Sequence, residues 1–112
     1  MSTVTPVQLV APASLSTADT AVYTVPSFTT AKIGRAVFSN SSTSASTITA
    51  GITTGVGLTG PTTLVPTLAL AGGATYVSPE LAGAVIPAGS QLHAYQGTTG
   101  AVTFTVSGLT IV

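Results

Sequence analysis

The chain has 112 residues, of which only Asp19, Lys32, Arg35 and Glu80 are charged, for a formal net charge of zero. A soluble domain ordinarily carries about a quarter charged residues; at 4% charged and 45% hydrophobic the composition speaks against disorder, which goes with apolar-poor, charge-rich chains. It also speaks against nucleic-acid binding, because two cations cannot neutralise the roughly 6–10 phosphates of a typical interface.

The length fits one domain. Ser and Thr supply 34 of the 112 residues, which gives polarity without charge and, through Thr, β-branched side chains suited to a pleated surface. With no cysteine, disulfides and thiolate metal sites are excluded, and assembly in a reducing cytoplasm is compatible. No window approaches the roughly 18 apolar residues of a membrane helix, and Met1–Pro6 has no basic leader region. Little charge repulsion keeps two copies apart, so homo-oligomerisation or burial against a larger partner is expected.

Residues 1–16 carry Pro6 and Pro12 and read as either an extended arm or an edge strand, ahead of a single β domain over 17–112. Val4, Val7, Leu9 and Val10 are too apolar for a free tail and are candidate partner contacts in an arm docked on a neighbour. Ala21–Val25 is a short strand stopped by Pro26. Ala31–Ser39 alternates, with Ile33, Arg35 and Val37 on one face and Lys32, Gly34, Ala36 and Phe38 on the other, so apolar residues compete for both faces. At i and i+3 of a strand, Lys32 and Arg35 point to opposite faces; Arg35 is a further candidate partner contact. Asn40–Ser42 reads as a turn.

Thr47–Thr53 places Ile48, Ala50 and Ile52 on one face. Gly55, Gly57 and Gly60–Pro61 mark a loop. Thr63–Leu70 is a strand that Pro66 confines to an edge or a bulge. Ala71–Gly73 turns the chain into Thr75–Ser78, after which Ser78 is placed to cap one turn through Pro79–Gly83. Val85–Ile86, the Pro87–Ser90 turn, Gln91–Gln96 and the Gly97–Gly100 turn follow. Ala101–Ser107 alternates cleanly, with Val102, Phe104 and Val106 inward; Gly108 reads as a break, and Leu109–Val112 as an extended end. Seven or eight short strands at this spacing predict an all-β fold, a single antiparallel β-sandwich of the jelly-roll or immunoglobulin-like kind. Its core is expected to include Ile48, Ile52, Leu92, Val102, Phe104 and Val106.

Chemistry-bearing residues are few. Ser90, His93 and Asp19 could be composed into a triad, but no nucleophile-elbow motif supports it, and His93 reads better as a strand side chain at a surface or subunit contact. Metal ligands are limited to His93, Asp19 and Glu80, without calcium-loop spacing. Gly55–Gly60 fits G-x-G-x-x-G in letters only, since no helix follows. Asn40–Ser42 matches a glycosylation acceptor pattern without a secretion signal. No catalytic residue, metal or cofactor is expected.

Tyr23, Thr24 and Pro26, then Ala31 and Ile33, then Asn40, Ser41 and Ser42 form a recurring strand-and-turn grammar. Leu70, Gly72 and Gly73 continue it, followed by Ile86, Ala88 and Gly89, and by Phe104, Val106, Ser107 and Gly108. In this pattern, over residues 21–112, the sequence resembles the small β-sandwich virion proteins of tailed bacteriophages. These include capsid decoration (cement), head-fibre and tail-associated proteins. The resemblance implies a non-enzymatic structural role in the virion, assembled in the host cytoplasm. It implies a cement protein, homotrimeric, binding the major capsid protein, with no nucleic acid or membrane as partner. A tail or head–tail connector component is the alternative on the same fold, and a carbohydrate-binding module on the particle surface is the alternative of another class.

Overall fold

A computed structural model describes residues 3–59, 62–97 and 102–112. The described strands are β1 (Val4–Ser14), β2 (Thr20–Thr24), β3 (Thr30–Asn40), β4 (Ser46–Thr53), β5 (Thr63–Leu70), β6 (Thr75–Val77), β7 (Val85–Ile86), β8 (Gln91–Gln96) and β9 (Val102–Ile111). They pair in nested order: β1 with β9, β2 with β8, β3 with β6 and β7, and β4 with β5, all antiparallel. One sheet runs β1-β9-β3-β6, with β7 continuing on β3 beyond β6, and the other runs β2-β8-β4-β5. A chain folded back on itself and wound into two facing sheets in this order is a jelly roll, which decides between the two sandwich topologies the sequence allows. No helix occurs among the described residues. Ser78 caps a single turn instead, its hydroxyl accepting the Leu81 N–H.

The core lies between the sheets. Phe104 of β9 stacks on Phe38 of β3 with ring centroids 4.3 Å apart, and Ile33, Ile48, Leu81, Ile86, Leu92, Val102 and Val106 pack around them, fully buried. Ile52 lies partly buried against this core. Gln96 is also fully buried; its side chain accepts the Val102 N–H and donates to the Leu15 carbonyl, joining the end of β9 to the crossing between β1 and β2. Satisfied on both sides, it avoids the penalty of an unpaired buried amide.

Three features differ from simple alternation. In β3 the register shifts between Ile33 and Arg35, a β-bulge that puts two residues opposite one. It reverses the parity of the strand, so that Ile33 and Ala31 before it and Ala36 and Phe38 after it all face the core. Second, β9 does not stop at Gly108. There the glycine lets β3 approach so closely that a Cβ would lie 2.0 Å from the Lys32 carbonyl oxygen, and the strand continues to Ile111. Third, β5 is an edge strand whose Pro66–Thr67 step forms a bulge, with Thr67 at a φ of 38°.

Val4–Ser14, for which the sequence leaves an arm and an edge strand open, is hydrogen-bonded along β9 as the edge of its sheet, with register shifts around Val10. The Gly97–Gly100 turn and the Gly60–Pro61 corner fall largely outside the described residues.

Candidate functional site

The acidic side chains are both engaged at home. Asp19 lies just before β2, which pairs with β8. Its Oδ1 is 2.7 Å from His93 Nδ1 and its Oδ2 accepts the Leu58 N–H at 2.7 Å. Partial burial works to raise the Asp19 pKa, but the Leu58 and His93 hydrogen bonds together outweigh it and hold the carboxyl below its ordinary value. The other ring nitrogen of His93, Nε2, is 2.8 Å from Gln91 Oε1. With both ring nitrogens taken, His93 has none for Ser90, and the Ser90–His93–Asp19 combination is not assembled as a triad. Nor is His93 a surface contact: it is 7% exposed, beneath the segment between β4 and β5. Gly51, its partner on β4, makes room for that cover. A Cβ there would meet the Thr62 carbonyl oxygen at 2.1 Å and the Leu58 side chain at 2.9 Å.

Glu80 accepts hydrogen bonds from the Tyr76 and Ser78 hydroxyls. The Tyr76 bond is the main reason its pKa lies below the usual value. Asn40 is likewise committed to structure. Its amide donates to the Ser44 and Leu70 carbonyls and its oxygen accepts from Ser42, so the acceptor pattern is a turn motif. Gly55–Thr59 belongs to the cover over β4 and opens no helix; Gly60 lies outside the described residues. Among the described residues there is no cluster of His, Asp and Glu able to hold a metal ion.

The cations carry no ion pair among the described residues. The bulge in β3 overturns the expectation that Lys32 and Arg35 oppose each other, because reversing the parity between them sends both to the outer face of the β1-β9-β3 sheet. Among the described residues neither pairs with a carboxylate; the ion pair present is His93–Asp19. Register places their neighbours. Lys32 aligns with Leu109, Val85 and, one strand further, Pro6. Thr30 aligns with Ile111 and Val4, and Arg35 with Ser107 and Gln8. The open face therefore carries an apolar end with two cations beside it. Val4 and Arg35, singled out in the sequence, belong to this face. Val7 is exposed at the edge on the opposite side of β1. Leu9 and Val10 are each only 8% exposed and sit in their own domain's core, where no partner reaches them.

Sequence reasoning passes over Phe28. It is 93% exposed, in the turn between β2 and β3, where the Thr29 N–H donates to the Pro26 carbonyl. Its φ is 61°, at the third position of a turn that ordinarily takes Gly or Asn. The sequence signal is an aromatic between Pro26–Ser27 and the Thr29–Thr30 pair, which reads equally as core.

No family model matches the sequence, and neither curated proteins nor solved structures show a significant match to it.

Proposed function

We propose that this protein is a non-enzymatic structural subunit of a bacteriophage virion, of the capsid-decoration kind. The observation that carries the reading is the open outer face of the β1-β9-β3 sheet: a firm hydrogen-bonded surface, apolar at one end, on a chain whose acids are already engaged. Such a face suits burial against a shell lattice, where each contact stabilises the assembled state by mass action. The jelly-roll order supports it by analogy, since capsid domains commonly use this architecture, as does the resemblance over residues 21–112.

Quantitative mass spectrometry of purified particles tests it. Hundreds of copies per particle are expected of a decoration protein. A copy number of a few to a few tens replaces it with a tail or head–tail connector component, and absence from particles overturns the virion reading. Binding to a glycan array with no binding to particles would instead favour a carbohydrate-binding module.

A further inference from the structure

Three observations converge on one end of the open face. The first is Phe28, whose exposure leaves an apolar ring in water at the rim of the sheet, two residues before Thr30. The second is its backbone. A left-handed conformation is unfavourable for a residue with a Cβ, and for a bulky residue it is an outlier. Among the described residues this chain uses glycine at four of the five other positive-φ positions, Gly55, Gly73, Gly83 and Gly89, the fifth being Thr67 in the β5 bulge, but not here. The turn is also held firmly: the Val25 N–H donates to the Ser90 carbonyl and the Gly89 N–H to the Val25 carbonyl, and the Val25 side chain is buried. A strained, pre-organised residue that gains nothing for the fold is the kind found at binding sites. The third observation is charge. Lys32 and Arg35 stand on this face without carboxylates, while Asp19 and Glu80 are occupied elsewhere.

We propose that Phe28, Lys32 and Arg35 form the docking anchor for an acidic protein surface: the Phe28 ring enters an apolar pocket of the partner, and partner carboxylates meet the two cations. Resting on the decoration reading, that partner is the shell protein. Charge favours it over a second copy, because face-to-face pairing of two copies sets cation against cation while Asp19 and Glu80 are hydrogen-bonded away from this face. It also favours a protein over an anionic membrane, since two cations with one aromatic attract too weakly to such a surface for stable attachment.

The test measures binding of purified protein to shells of the parent virus assembled without it. Phe28→Asn keeps a residue that accepts the left-handed turn, and Lys32→Glu with Arg35→Glu reverses the charge. Each variant is expected to weaken shell binding at least about tenfold, while wild-type binding falls with added salt; circular dichroism spectra should match the wild type. Shell binding by the wild type that both variants retain overturns the anchor alone. No wild-type binding overturns the decoration reading and the anchor with it. Sedimentation showing a wild-type oligomer that Phe28→Asn dissociates would assign the face to a second copy. Binding to vesicles of equimolar phosphatidylcholine and phosphatidylserine that depends on the same residues would assign it to a membrane. Either result overturns the proposal.

Discussion

The two outer faces of the sandwich have opposite fates. Over β8 and β4 the chain covers itself: the segment after β4 lies across Gly51 and is pinned through Leu58 to Asp19, and through Asp19 to His93. Over β3 and β9 no described strand lies outside the sheet, and the face holds both cations and an exposed apolar end. Asp19 and His93 on the covered side are spent on the fold. Lys32 and Arg35 on the open side are not, and contribute little to it. Substitutions should therefore separate into ones that cost stability and ones that cost only association.

The largest effect should come from the core that serves both faces. Phe104→Ala removes a fully buried ring stacked on Phe38 and should cost about 3–5 kcal/mol in chemical denaturation; a loss under about 1 kcal/mol would place the ring outside the critical packing. Next, Gly51→Val should strip the covered face without emptying the core. Its side chain would meet the Thr62 backbone and Leu58, so a loss of about 1–3 kcal/mol is expected. Limited proteolysis should then cut within residues 54–59 faster than in the wild type.

Asp19→Asn sharpens the comparison through pH. The folded-state pKa of Asp19 is lowered from 3.8, so its stabilising contribution is fully present above the unfolded value and is lost as pH falls through the folded one. The stability gap between wild type and Asp19→Asn should be widest at neutral pH and close in acid below 3.8. A gap that stays constant would mean the carboxylate does not hold the cover. The smallest effects belong to the open face. Lys32→Gln with Arg35→Gln should change stability by no more than about 0.5 kcal/mol. Phe28→Asn should leave it unchanged or raise it by up to about 1 kcal/mol as the turn strain is relieved. A clear loss in either would show that the open face supports the fold.

Much of the sandwich is legible where alternation is unbroken. In β9, Val102, Phe104 and Val106 announce the inner face because nothing disturbs the period of two. In β3 the same reading stalls, since Ile33 and Phe38 have opposite parity. That conflict is itself the mark of a bulge, but the letters do not say where the extra residue goes, and so the relative placement of Lys32 and Arg35 comes out reversed. β1 suffers likewise: Leu9 and Val10 are consecutive apolar residues across a register shift, which makes a strand look like an arm. Asp19 and His93 are recognisable as a titratable pair, yet 74 positions separate them, and only the winding of the sheets brings them together. The partners that decide their role, Leu58 and Gln91, carry no chemical signature in the sequence. Phe28 is invisible for a simpler reason: a left-handed backbone is a property of the folded turn, and its residue type argues against it.

The nested pairing also fixes when the open face comes into being. β9, which follows the other described strands in chain order, lies between β1 and β3 and supplies their shared hydrogen-bonding neighbour. Pairing of strands so distant in sequence is slow, because loop closure precedes the contacts that reward it. Until β9 emerges, β1 has no ladder, and Lys32 and Arg35 stand on a strand with only its β6 and β7 side occupied. A chain cut short before β9 therefore lacks the open face, because the strand that joins β1 to β3 is missing.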